Sequence, residues 1–235
     1  MAMRRSAALL MTASLVVAGT ATAADAAAGR TVALWEMNES SGSRTMADSS
    51  GNGRTGTIGR EVRTAVRVDG AKGYRFDRLE PDTPPTHPQH LVTVPDSSAL
   101  DPGEGDYAVT VRLRTTGKFG NIVQKGQATV AGGNVKLQIP NGIVQCLYRG
   151  SVTTLLVSSK RRLNDGRWHT VRCERTGAGV TLTVDGVVEA RKSGRTGRIA
   201  NSWPVSIGGK TACDQVKVGC DYYVGDLDWI RVEAG

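Results

Sequence analysis

Val180-Thr181-Leu182-Thr183-Val184-Asp185-Gly186-Val187-Val188 is the stretch on which the fold turns. Val180, Leu182 and Val184 recur at every second position, the period at which strand side chains point to alternate faces. Asp185-Gly186 suits a two-residue turn, and Val187-Val188 restarts the strand, so the segment predicts a β-hairpin. The same period extends outward along the chain. Val109, Val111 and Leu113 alternate with Thr110, Arg112 and Arg114, and Val135, Leu137 and Ile139 alternate with Lys136 and Gln138. Residues 143–148 and 168–175 repeat the pattern, the latter after an Asn164-Asp165-Gly166 turn. Further strands are expected at 31–37, 121–125, 154–158, 205–207 and 227–232. Short strands between Gly-rich turns, with little helical periodicity, predict an all-β antiparallel jelly-roll sandwich.

Composition agrees. The 235 residues are 39% hydrophobic and 22% charged, with 29 Gly and 8 Pro. That excludes disorder, collagen-like repeats and coiled coils, and the length suffices for one buried core. Residues 77–90 contain Pro81, Pro84, Pro85 and Pro88 and read as an irregular surface loop. His87 and His90 lie in it without a third metal ligand and read as solvated loop residues. No repeat or linker divides the chain, so one domain is expected.

The N-terminus reads as a secretory signal peptide. Arg4 and Arg5 form a basic head, 7–19 is apolar, and Ala21-Thr22-Ala23 or Ala24-Asp25-Ala26 offers a cleavage site. The expected organisation is a signal peptide over 1–26 and a mature domain over 27–235, secreted and extracellular. The apolar run is shorter than the ~20 residues that span a bilayer, and no later stretch is apolar enough to insert. Losing Arg4, Arg5 and Asp25 takes the formal charge from +8 to +7. A basic surface can meet nucleic acid, anionic wall polymers or acidic polysaccharide. Nucleic acid is not expected: the densest basic cluster, Arg191, Lys192, Arg195 and Arg198, carries no aromatic residue for base stacking.

Four cysteines, Cys146, Cys173, Cys213 and Cys220, remain in an exported chain. An even count favours disulfides, and four cysteines permit three connectivities. Cys146 and Cys173 fall in separate strand patterns and Cys213 and Cys220 flank a short loop, so the expected pairs are Cys146–Cys173 and Cys213–Cys220. A zinc site is disfavoured, since no Cys-x-x-Cys occurs and His169 is the only histidine nearby.

Several segments resemble the laminin-G-like branch of the concanavalin A-like lectin/glucanase superfamily, in its small secreted bacterial form. Ala33-Leu34-Trp35-Glu36-Met37-Asn38-Glu39-Ser40-Ser41-Gly42 is similar to the family's first strand, and Asp48-Ser49-Ser50-Gly51-Asn52-Gly53 to its Asp-Ser-Gly-Asn-Gly turn. Val94-Pro95, Asp165-Gly166-Arg167-Trp168-His169-Thr170-Val171 and the closing Gly225-Asp226-Leu227-Asp228-Trp229-Ile230-Arg231-Val232 follow in family order. The resemblance implies two sheets of six to seven strands and a structural Ca²⁺ where the first and last strands meet. Its ligands would be Asn38, Asp48, Asn52 and Asp228, a set of the oxygen donors that calcium takes. Asn38 replaces a common Asp, and Arg54 stands in the turn where a neutral residue is usual. The resemblance also implies that Trp35, Trp168 and Trp229 occupy core positions.

The superfamily includes glucanases, whose catalytic strand carries spaced carboxylates. Here Asp226 and Asp228 share strand parity, but the next same-parity residues are Ile230 and Val232 and Glu233 is off the spacing. No nucleophile elbow, zinc-protease motif or phosphate loop occurs. His169, at a strand start, reads as structural. A secreted, non-catalytic, monomeric module for carbohydrate or a cell-surface polymer is therefore expected, against the alternatives of a glycosidase or a protein-adhesion module. Tyr148, Trp203, Tyr222 and Tyr223 are the candidate sugar-stacking residues. Arg112, Arg114 and Lys136, on polar strand faces, serve if the ligand is sulfated or a protein.

Overall fold

The computed structural model describes residues 29–79, 88–128, 130–212 and 221–235. The signal segment and the expected Cys213–Cys220 pair lie outside these residues, as do His87 and most of the proline-rich loop. Among the described residues sixteen strands follow in order. The first six are β1 (Arg30–Trp35), β2 (Thr45–Met46), β3 (Gly56–Ile58), β4 (Arg63–Val68), β5 (Ala71–Phe76) and β6 (Val92–Val94). The next five are β7 (Tyr107–Arg114), β8 (Asn121–Lys125), β9 (Asn134–Gln138), β10 (Ile143–Arg149) and β11 (Thr154–Arg162). The last five are β12 (Trp168–Thr176), β13 (Gly179–Val184), β14 (Val187–Ser193), β15 (Val205–Ile207) and β16 (Gly225–Ala234).

They form two eight-stranded sheets, each one or two strands wider than the resemblance implied. The first sheet runs β14-β13-β12-β7-β16-β5-β4, with β1 added beside β16; the second runs β11-β10-β9-β8-β15-β6-β3-β2. Pairing is antiparallel throughout both, as short turn-connected strands require. The Val180 hairpin forms as read: Asp185 and Gly186 adopt φ of 51° and 79° between β13 and β14. A second Asp-Gly hairpin, at Asp69 and Gly70 (φ 49° and 81°), joins β4 to β5.

Inward-facing residues of the two sheets make one core, in which Trp35, Tyr74, Phe76, Leu113, Tyr148, Val171 and Tyr223 are buried. The expected Cys146–Cys173 disulfide is present and links β10 of one sheet to β12 of the other, with a Cα separation of 5.5 Å. Beside it the Tyr148 hydroxyl lies 3.1 Å from both the Tyr107 and Cys173 carbonyl oxygens of the opposite sheet. A covalent bond and a buried phenol thus hold the same pair of strands face to face.

The closed loop spans 27 residues, for which lost chain entropy in the unfolded state stabilises the fold by about 3–4 kcal/mol. Replacing both cysteines by Ala is expected to lower the thermal midpoint by roughly 6–16 °C. Calorimetry checks this, and an unchanged midpoint would show that the bond is incidental.

Candidate ligand-binding face

The outward face of the first sheet collects the charged and aromatic residues that the core excludes. Arg63, Arg75, Asp226, Arg114 and Trp168 are successive cross-strand partners on β4, β5, β16, β7 and β12, so their side chains share one row. Asp226 is the hub of this row and is almost fully buried. Its Oδ1 accepts from Arg75 Nε at 2.6 Å, and its Oδ2 from Arg75 Nη2 and Arg114 Nη1, each at 3.0 Å. The bidentate geometry fixes the Arg75 guanidinium plane, and Arg114 is held at a second point by the Gly166 carbonyl, to which its Nε donates at 2.6 Å. Gly73 lets β16 approach β5 here: a Cβ on it would lie 2.2 Å from the Leu227 carbonyl oxygen.

The next row holds Trp229, Arg112 and Thr170. A bulge between Leu227 and Trp229 puts Asp228 beside Arg112, whose Nη1 donates to Asp228 Oδ2. The Arg112 guanidinium also lies 4.8 Å from the Trp168 ring centroid, and Trp168 Nε1 donates to the Val68 carbonyl at 3.2 Å. Arg231 sits 5.9 Å from the centroid of Trp229. Both indoles are half-buried, each locked by a cation–π contact with part of its surface open.

Beyond the row, at edge strand β4, an open cleft of about 530 Å³ is lined by five arginines, Arg44, Arg60, Arg63, Arg67 and Arg75, and by no carboxylate among the described residues. Arg44 is spent on the Gly59 and Arg60 carbonyls, and Arg63 pairs with Asp77 at 3.3 Å. Among the described residues the side chains of Arg60 and Arg67 have no hydrogen-bond or ion-pair partner. Ala65 in the same wall adopts a φ of 59°, within a register shift between Arg63 and Val66. This left-handed conformation is costly for a residue with a Cβ.

A Laminin G domain model matches residues 113–233, just over half of the chain. The chain belongs to the laminin G domain family. No curated protein matches it. Mouse laminin alpha1 domains LG4-5 share 20% identity over 56% of this chain and 37% of that one, with a TM-score of 0.47. The binding domain of Paraclostridial Mosquitocidal Protein 1 superposes with a TM-score of 0.59 at 13% identity, over 87% of this chain and 48% of that one. This laminin G chain therefore spans half or less of those two structures. Domain 4 of AbnA, a GH43 extracellular arabinanase from Geobacillus stearothermophilus solved with arabinotriose, superposes at 0.60 and 16% identity, over 88% of this chain and 94% of that one.

Within the laminin G domain the sequence-derived candidates scatter. Tyr148 and Tyr223 are fully buried core residues whose inward parity leaves no ring surface for a sugar, so their assignment is corrected. Tyr222 is half-buried, its ring 5.4 Å from that of His90. Trp203 is half-buried beside a shallow pocket with Ser202, Pro204, Thr211 and Ala212. Lys136 is on β9 of the second sheet, away from Arg112 and Arg114. Trp35 is core as implied, but Trp168 and Trp229 face outward on the first sheet. Trp168 was legible from its parity with Thr170, Arg172 and Glu174; Trp229 was not, because the bulge at Asp228 resets the alternation.

The implied calcium ligands do not fit an ion, for both carboxylates and the backbone carbonyls of both asparagines are already engaged. Asp48 Oδ1 accepts from Leu34 N at 3.0 Å and Ser50 N at 2.9 Å, and its Oδ2 from Arg54 N at 2.9 Å. Asn52 turns its side-chain amide nitrogen toward the Thr31 and Val32 carbonyls, and its backbone carbonyl accepts from Arg54 Nη1 at 3.3 Å. Asn38 O accepts from Lys72, and Asp228 is paired with Arg112. Asp48 forms an Asx turn with its oxygens filled by backbone N–H groups, and the Arg112 guanidinium takes Oδ2 of Asp228. Among the described residues no group of three or more His, Cys, Asp or Glu could hold a metal ion.

His169 is structural. Its ring is nearly buried between Asp185, 2.8 Å from Nδ1, and Asp165, 3.1 Å from Nε2, which ties the two turns flanking β12 and β13. Burial opposes ionisation of all three turn aspartates, but hydrogen bonds outweigh it. The Arg167 N–H and side chain with His169 hold Asp165 well below the ordinary carboxylate range, and His169 with the Thr170 N–H does the same for Asp185. Ser50 and the N–H groups of Leu34 and Arg54 do so for Asp48. A carboxyl depressed by folding stabilises the fold above its unfolded pKa, and that contribution is lost as pH falls through the folded value. The thermal midpoint is therefore expected to fall steadily below about pH 4. Asp48→Asn, which sets a donor against the Arg54 N–H, should lower the neutral-pH midpoint by the equivalent of about 2 kcal/mol and flatten the acid limb. An acid limb identical to wild type would contradict this.

Proposed function

We propose that the outward face of the first sheet is a binding surface for an anionic carbohydrate or cell-surface polymer, and that the module is secreted and non-catalytic. The observation that carries this reading is the continuity of the face. Two half-open indoles, which offer flat apolar surface to sugar rings, adjoin a cleft of five arginines with no carboxylate among its described lining residues. A polymer lying across β12, β7, β16, β5 and β4 would meet rings first and cationic charge second.

Non-catalysis is supported by the state of the acids. A retaining glycosidase needs one carboxyl group to donate a proton and another free to attack. Asp226 is bonded to two guanidinium groups and Asp228 to a third, so both are occupied as counter-ions. The AbnA domain, solved with arabinotriose, supports a carbohydrate ligand by analogy of fold alone. An inter-sheet disulfide supports an exported, leader-cleaved chain, in keeping with the expected mature domain over 27–235. Among the described residues no helix is long and apolar enough to cross a membrane. Large exposed apolar side chains are few and of modest size, Phe119, Val152, Val187 and Val188, which supports a monomer.

Affinity electrophoresis in gels containing dextran sulfate or neutral dextran tests the reading. Retardation is expected with the sulfated polymer only, weakening as ionic strength rises. The double variant Arg60→Glu with Arg67→Glu should lose at least tenfold in affinity with an unchanged thermal midpoint, since both side chains are solvent-exposed. Trp229→Ala should weaken binding at all salt concentrations, by about 1–3 kcal/mol if it stacks on a ring as aromatic platforms do. Retardation of the double variant equal to wild type would refute the assignment, and so would equal retardation by both polymers.

A further inference from the structure

A densely coordinated buried charge lies away from the proposed binding face. Lys125 ends β8 on the inward side, in register with Val135 and Val205, and only 1% of it is exposed. Five oxygens converge on its ammonium. Asp96 Oδ1 is 2.5 Å away, Trp203 O 2.6 Å, Asn201 O 2.7 Å, and Asp101 Oδ1 and Asn201 Oδ1 each 3.3 Å. An ammonium has three N–H donors, so five acceptors exceed what hydrogen bonding alone can use. The arrangement is instead that of a cage around a compact positive charge. Two carboxylates, two backbone carbonyls and an amide oxygen are also the donor types that a calcium ion gathers.

The cage joins three segments distant in sequence. Asp96 and Asp101 belong to the connection from β6 to β7, Lys125 to β8, and Asn201 and Trp203 to the approach to β15, which pairs with both β6 and β8. Asn201 organises its own part, accepting the Trp203 N–H at 3.0 Å and donating from its amide to the Gly133 carbonyl at 3.1 Å. We propose that Lys125 is a resident cation doing the structural work of a metal ion at this junction, and that without its ammonium the cage becomes a divalent-cation site. The fold is accordingly independent of calcium, and its dependence on a cation is written into one side chain.

Thermal melts in excess calcium and in EDTA test this on the purified mature protein and three variants. Wild type is expected to melt at the same temperature in both. Lys125→Ala removes the charge and opens space, leaving two carboxylates without a counter-charge, and should melt about 10 °C lower in EDTA. Calcium should restore at least half of that loss. Terbium should give Trp-sensitised emission in Lys125→Ala and none above background in wild type. Lys125→Met, which fills the space without charge, should be destabilised and gain nothing from calcium. Lys125→Ala with Asp96→Asn and Asp101→Asn should lose the calcium response. If Lys125→Ala is unfolded in EDTA, calcium-driven refolding followed by circular dichroism reads the same property. Stabilisation of wild type by calcium overturns the proposal, as does a Lys125→Ala variant that calcium neither stabilises nor refolds.

Discussion

The bond between Cys146 and Cys173 is the constraint on which the rest of the molecule hangs. It joins the inward faces of two sheets that are otherwise held by side-chain packing, by the Tyr148 hydroxyl beside it and by the contacts of Lys160 and Arg161 on β11 with Glu189 on β14. Once that separation is fixed, parity decides every other side chain. Residues on the parity of Cys173 in β12 enter the core, and those on the parity of Arg172 must find partners on the outside. The outer face is thus a consequence of the core, read one residue out of step.

What the outer face does with its charge follows from β16, which β7 flanks on one side and β5 and β1 share on the other. Asp226 and Asp228 meet arginines from both flanks, which spends their negative charge within the sheet. Farther out, on and beside edge strand β4, Arg63 pairs with Asp77, while the side chains of Arg60 and Arg67 have no counter-ion among the described residues, and the cleft there is left cationic. The +8 formal charge of the chain is therefore less informative than its placement. Neutralised charge holds the centre of the sheet, and uncompensated charge lies at its edge.

Much of this was legible in the sequence. Alternation at Val109, Val135 and Val180 placed their strands because one face of each is fully buried, and the Cys146–Cys173 pair followed from two cysteines on such strands. The β4–β5 hairpin was not read, although Asp69-Gly70 marks its turn. Arg63, Arg67, Lys72 and Arg75 leave its short strands with few apolar positions, and Gly73 supplies no side chain at all. The sugar-stacking candidates failed for a different reason. Tyr148 and Tyr223 look amphipathic in sequence, but both hydroxyls are satisfied by buried backbone carbonyls, so the whole ring can enter the core. Lys125 was hidden likewise, since a strand pattern does not reveal the five oxygens brought to it by three separate segments.

The most direct test of the binding face is a map of backbone amide and indole N–H chemical shifts as a short sulfated dextran is titrated in. If the outward face of the first sheet is the binding surface, the perturbed signals will be those of Arg60, Arg67, Arg75, Arg112, Trp168 and Trp229, forming one contiguous patch across β4, β5, β16, β7 and β12. Perturbations confined to Lys136, Gln138 and Gln145 on the second sheet, or scattered over both sheets with the indoles unmoved, would contradict the account.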